Sequence, residues 1–193
     1  MVAIDPTPAK PRTRPKDRRE QILREAYRLI AASGFNAVSL SEIAEACGIR
    51  KSSVLHHFPS MNDLLLAVLQ MREDQDFEYY RDSPHTEEPG PAGARETFTR
   101  VFHHNLDRPE FVRLYAILSG EALAPDHPAH DYFAMRTRVA QEELARSLDW
   151  KPDPRAAAAE LLAFWSGLEL AWQHDPELDV RAVWETFSDR FFA

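Results

Sequence analysis

The residues whose types and spacing could do chemistry lie close together: Lys51, Ser52, Ser53, Leu55 and His56. A cation, two hydroxyls, an imidazole and one aliphatic side chain are poorly matched to bond making and well matched to a major groove. Base edges there present acceptors, donors and the thymine methyl group. Helical spacing over Lys51 to Phe58 puts these five outward, with Val54, His57 and Phe58 partly inward. The elements that must position them precede the run. Ser39 is placed to cap a helix whose third residue, Glu42, reaches back to the cap's own amide, and Leu40, Ile43, Ala44 and Cys47 then share one apolar face. Gly48 ends that helix, because glycine adopts the left-handed conformation without steric cost, and Ile49 can plug the angle between the helices. The stretch from Ser39 to Leu64 therefore reads as a helix-turn-helix leading into a further capped helix. Ser39, Ser41, Arg50, Lys51, Ser52, Ser53, Leu55, His56 and His57 are its candidate DNA contacts.

The overall charge of -8 argues against nucleic acid until it is divided along the chain. Residues 1–60 hold 10 Lys and Arg against 6 Asp and Glu, and the remainder holds 13 against 25. A basic front on an acidic body draws phosphate to one end and repels it from the other, which orients docking. Apolar residues recur at three and four rather than alternating, so the chain reads as all-α with about nine helices. No stretch approaches a membrane span and no apolar leader is visible, so a cytoplasmic protein without membrane contact is expected. Cys47 reads as a small buried hydrophobe.

Residues 1–15 carry four prolines and several cations without helical periodicity and read as a disordered basic arm, either following DNA or serving as a plain soluble tail. Residues 16–60 form the expected DNA-binding domain. Its first helix is capped by Asp17, buries Ile22, Leu23, Ala26, Leu29 and Ile30, and stops at Gly34. Residues 61–193 form the expected second domain. Ser60 and Asp63 open a helix to about Tyr80 that carries Leu65, Leu66, Val68, Leu69 and Phe77 into a second core, and its first amides face the DNA side. Beyond a loop from Arg81 to Gly93, helices are expected near Ala94–Leu106, Pro109–Leu123, Pro128–Leu148, Pro154–His174 and Leu178–Phe192, most opened by proline.

LSEIAEACGI, the HHFPS run and the following helix together resemble the TetR family of bacterial transcriptional regulators, over about Arg18 to Leu69. The resemblance implies an all-helical homodimer with an amino-terminal helix-turn-helix and a divergent carboxy-terminal domain that often binds a small inducer. It also implies that most members repress. By position, Lys51, Ser52, Ser53 and Leu55 fall on the family's base-facing sites, and His57 with the start of the next helix on phosphate-facing ones. Three positions depart from the pattern. Leu55 stands where tyrosine is common, Met61 where lysine is common, and Arg50 where a serine-like cap is usual. Arg50 weakens the cap while adding a cation at the groove edge.

Phe77, Phe102, His103, Tyr115, Leu118, Tyr132, Phe133, Trp165 and Gln173 are candidates for a ligand pocket, with Glu121 a further polar group; the same residues would equally make a plain core. No cofactor is implied, and the histidines near His103 and His127 lack the company that fixes a metal, so none is expected. Leu161, Phe164, Gly167, Leu168, Trp172, Trp184, Phe187 and Phe191 form an apolar surface suited to a twofold helical interface, with completion of the chain's own core as the alternative. The expectation is a DNA-binding regulator on a near-palindromic double-stranded operator, a repressor released by a small-molecule effector of unidentified class. A regulator without inducer, controlled by concentration or a protein partner, remains the alternative. With no phosphate loop, nucleophile elbow or metal set, an enzyme is the remote one.

Overall fold

A computed structural model describes residues 15–82 and 90–193, apart from the side chains of 77 and 80–82. The arm over 1–14, the loop residues 83–89 and the Phe77 side chain named above lie outside the described residues. Among those described, every regular element is helical: α1 (Pro15–Ser33), α2 (Leu40–Ala46), α3 (Lys51–His57), α4 (Met61–Asp82), α5 (Pro91–Leu106), α6 (Pro109–Glu121), α7 (His130–Ser147), α8 (Pro154–His174) and α9 (Val180–Phe191). Prolines stand at the first turns of α5, α6 and α8, where their missing N–H has no helical partner to lose. Helix α1 starts at Pro15, so Asp17 sits inside its first turn rather than capping it. There the carboxylate still meets the positive end of the helix dipole.

Two apolar cores organise the chain. The first joins Ile22, Leu23, Ala26 and Ile30 of α1, Ile43 and Ala44 of α2, Val54 of α3 and Leu64, Leu65, Val68 and Leu69 of α4. It also takes in Leu114 and Leu118 of α6 and Ala122 and Ala129 beyond it. The α4 leucines expected to enter a second core thus complete the first one, and Leu66 is exposed. The α4 face that meets α1 is the one carrying Leu64, Leu65, Val68 and Leu69, spaced at three and four, and Leu66 falls off that stripe.

The second core joins Phe98, Phe102 and Leu106 of α5 to Leu148, to Ala158, Leu161 and Leu168 of α8 and to Val180, Trp184, Phe187 and Phe191 of α9, with Phe192. Stacked rings hold it: Phe102 lies 4.6 Å from Trp184, and Phe164 lies 3.7 Å from Phe187. Trp184 buries its indole by donating Nε1–H to Thr99 Oγ1 at 2.9 Å. Five residues assigned from the sequence to a dimer interface, Leu161, Leu168, Trp184, Phe187 and Phe191, therefore face this chain's own core. Much of the apolar breadth of α8 and α9 is consumed within this chain, because Trp184 stacks on Phe102 of α5, Phe187 on Phe164 of α8, and Phe192 after α9 on Phe98 of α5 before any second copy is present.

Candidate DNA interface and effector chamber

The turn between α2 and α3 is built by local chemistry. Ser39 and Glu42 form a reciprocal capping box: Glu42 N–H donates to Ser39 Oγ at 3.3 Å, and Ser39 N–H donates to Glu42 Oε2 at 2.8 Å. Ser39 Oγ also donates to Glu42 Oε2 at 2.7 Å, so this hydroxyl serves the helix start first. Those hydrogen bonds hold the Glu42 carboxyl below its ordinary value. Gly48 has φ +65°, and the N–H groups of Gly48 and Ile49 return to Glu45 and Ala44 carbonyls at 2.9 Å, satisfying the helix end. Ile49 packs on the first core. Helix α1 braces the corner through Gln21, whose Nε2–H donates to Cys47 O at 3.3 Å. Burial pushes the Cys47 thiol up, in keeping with a packing role.

Helix α3 presents Lys51, Ser52, Ser53, Leu55 and His56 to solvent and buries Val54, as its spacing requires. Ser41 and Arg50 are exposed beside them, and no side chain caps α3 at Arg50. His57 is half-buried 5.5 Å from the His56 ring. Burial, then His56, Arg19 and Arg18, lower its pKa, so the imidazole is disposed to stay neutral. Arg19 covers the Phe58 ring at 4.9 Å, which places this α1 cation at the end of α3. At the start of α4, Asp63 N–H donates to Ser60 Oγ at 3.1 Å, and Ser60 Oγ donates to Asp63 Oδ2 at 2.6 Å. This cap occupies amide capacity at the start of α4 and sets a carboxylate there.

Further along the chain, the ligand candidates separate into groups. Tyr115, Tyr132 and Phe133 converge: the two hydroxyls lie 3.1 Å apart, and Phe133 meets the Tyr115 ring edge-on at 5.8 Å. Burial raises both tyrosine pKa values. Arg136 lies 4.7 Å over the Tyr115 ring and 3.8 Å from Glu73. Trp165 Nε1–H donates to Glu169 Oε1 at 2.6 Å, and Asn105 Nδ2–H donates to the same oxygen at 2.8 Å. Burial raises the Glu169 pKa against the pull of those two donors. Arg108 ties this group to α4 through Asp76 at 2.7 Å.

The other candidates lie elsewhere. Phe102 and Leu118 are fully buried in the second and first cores respectively. His103 opens on a groove of about 900 Å³ between α5 and α9, beside Thr99, Glu185 and Ser188. Gln173 is half-buried and accepts from Arg113 Nε at 3.2 Å. Among the described residues no three His, Cys, Asp or Glu side chains group to hold a metal. His127 and His130 instead bond locally, to Ala129 N and Ala122 O. Sequence reasoning missed Asn105, Arg108, Arg136 and Glu169. For three of them the signal was present, since Asn105 and Arg108 flank buried Leu106 and Phe111 and Glu169 follows buried Leu168, where an isolated polar group is costly; α7, which carries Arg136, buries no residue fully.

Comparison with known proteins bears on the first of these regions. Residues 22–68 match the model of bacterial regulatory proteins, tetR family. An uncharacterised helix-turn-helix regulator of Bacillus subtilis, YuxN, is 30% identical over 51% of this chain and 34% of its own length. The Escherichia coli regulator RutR is 29% identical over 61% of this chain and 56% of its own. The matched part thus spans between about a third and somewhat over half of these two relatives. A transcriptional-regulator structure from Saccharomonospora viridis in complex with choline is 22% identical, with TM-score 0.76 over 90% of this chain and 95% of that one, which shows a common fold. Regulators of this kind bind DNA operators, usually as dimers, and some bind small molecules. The capped turn, the glycine corner and the outward helix lie within the residues matched by the tetR-family model, so this amino-terminal region is similar to the DNA-binding part of those regulators.

Proposed function

We propose that the chain is a sequence-specific DNA-binding transcriptional regulator that acts as a homodimer on a near-palindromic operator. The observation that carries this reading is α3. Its inner side is closed by Val54 and, at its end, by buried Phe58, while Lys51, Ser52, Ser53 and His56 stand exposed together on the helix. Two such helices would enter successive major grooves roughly 34 Å apart. Selection of bound sequences from random DNA tests recognition and twofold symmetry together. Lys51→Ala combined with Ser53→Ala should weaken the selected site at least about tenfold and relax its sequence preference. Unchanged affinity and preference would remove α3 as the reading element.

We place the functional division where the sequence put it, a head over 16–60 and a body over 61–193, with α6 reaching into the head's core. For the dimer, the surface still available is one stripe of α8, Ala163, Ser166, Gly167 and Leu170, all exposed at helical spacing, next to exposed Met135 and Val139 of α7. Small residues allow close helix approach, and the apolar ones supply area to bury. Phe164 and Trp172 stand half-buried at the edge of the core. A protein that stayed monomeric at micromolar concentration would defeat this arrangement.

Release by a small molecule is the regulatory reading we favour over control by concentration or a protein partner. Its support is the polar set Tyr115, Tyr132, Arg136 and Glu169, held between α6, α7 and α8, together with the choline-bound relative of the same fold. A screen of small amines and aromatic acids by thermal shift on the full chain distinguishes the two. A true effector raises the midpoint with concentration and lowers operator affinity by the same linkage. No helix among the described residues is long and apolar enough to cross a membrane, and cytoplasmic action fits that. The family is one of regulators, which argues against turnover at any of these groups.

A further inference from the structure

Glu121 ends α6, where the unpaired carbonyls of a helix terminus disfavour a carboxylate. Its side chain crosses to the corner between α1 and α2. Oε2 accepts the Phe35 N–H at 2.9 Å, and Oε1 accepts the Asn36 N–H at 3.3 Å and the Asn36 Nδ2–H at 3.1 Å. Three donors on the reading head thus converge on one body side chain 85 or 86 residues away. Gly34 makes room, because a Cβ there would stand 2.8 Å from Oε1, and its φ of +84° turns the chain under the carboxylate.

His127, in the turn after α6, closes the other side. Its ring meets Phe35 edge-on at 5.2 Å, and its Nδ1 accepts the Ala129 N–H at 3.2 Å. In the neutral ring the proton then resides on Nε2, which is enclosed without a hydrogen-bond partner, 3.9 Å from Glu121 Oε2. The corner so held sits directly before Ser39, the cap of α2, and Val38 N–H returns to Phe35 O at 3.2 Å. Any tilt of α6, or of the turn carrying His127, therefore acts on the backbone from which the reading pair starts.

We infer that Glu121 is a positioning residue that fixes the angle between the reading head and the body, and hence the operator spacing a dimer accepts. This rests on the regulator reading above. A side chain present only for stability would change the unfolding midpoint and the affinity for all operators alike. One that sets the angle changes discrimination between spacings.

The test uses the full chain with Glu121→Ala and Glu121→Gln, amide exchange, and operators selected by the unaltered protein with zero, one or two base pairs inserted between half-sites. In both variants the Phe35 and Asn36 amides should exchange about tenfold faster or more. The unaltered protein should lose at least about tenfold in affinity on a one-pair insertion, and Glu121→Ala should lose less than about threefold while keeping the same half-site sequence. Should the alanine variant fail to fold, the glutamine variant, which keeps the shape and one acceptor, carries the same comparison. Spacing discrimination equal to that of the unaltered chain, or unchanged exchange at Phe35 and Asn36, would overturn the assignment. Failure of the unaltered protein to select any DNA would sink the regulator reading instead, and the exchange arm would still judge the latch.

Discussion

The two cores of this chain are closed by different chemistry. Around the reading head the buried side chains are chiefly aliphatic; α1, α2, α4 and α6 each contribute two or more and α3 contributes Val54. At the far end, α5, α8 and α9 meet through a small number of large rings stacked on one another. An aliphatic core spreads its stabilisation over many modest contacts, so the short α2 and α3 are held in place from several directions. A ring-stacked core concentrates stabilisation in a few side chains, and loss of one leaves a large void.

That contrast is broken most directly at Trp184, which is fully buried against Phe102 and holds Thr99. Trp184→Ala should cost about 3–5 kcal/mol, read as a lower urea midpoint. In the head, Ile43 is equally enclosed, yet Ile43→Val should cost only about 0.5–1.5 kcal/mol, because one methylene is lost among many neighbours. Equal losses at the two sites would show that the cores do not differ as described.

Between these in subtlety lies the start of α2. Ser39→Ala removes the cap and should cost about 1 kcal/mol by equilibrium unfolding. It should also change the acid limb of stability. The folded pKa of Glu42 is depressed below the ordinary 4.5 by its bonds with Ser39. The unaltered protein therefore holds this contribution in full above that value and loses it as pH falls through the lowered one. In Ser39→Ala that acid-dependent part should shrink, and an unchanged acid limb would separate Glu42 from the cap.

The smallest expected effect is at His57. Its folded pKa lies below 6.5, with burial as the main cause, so the neutral ring is favoured and its contribution to folding is complete above 6.5 and lost as pH drops through the lower value. A DNA phosphate beside the ring would draw the proton back. Operator affinity should thus rise a few-fold as pH falls from above 7 to about 6, and His57→Gln should flatten that part of the profile. A profile identical in the two proteins would place His57 away from the backbone of the DNA.

The reading head was largely legible in the chain itself. Ser39 with Glu42, Gly48 with Ile49, and the outward run from Lys51 to His56 lie where their spacing placed them, because capping boxes and glycine corners are decided within four or five residues. Helix starts moved by a few residues, as at Pro15 and Pro91, since proline is accepted earlier in a first turn than a polar cap would indicate. The aromatic stripes of α8 and α9 were visible as apolar faces, but their partner was not. Leu161 and Trp184 suited the face of a second copy of the chain, and they lie in this chain's own core.

What the sequence by itself determined was therefore local: the helical segments among the described residues, most of their caps, the sharp turn between α2 and α3, and the side of α3 left polar. Those follow from periodicity and from hydrogen bonds between near neighbours. Only the tertiary structure decided that α6 enters the head's core, that Glu121 lands on the corner at Phe35 and Asn36, and that the α9 rings are spent on α5 and α8 of the same chain rather than kept for a partner. These outcomes depend on competition among faces far apart in the chain, each able to bury the same apolar area, and no local pattern records which of them wins.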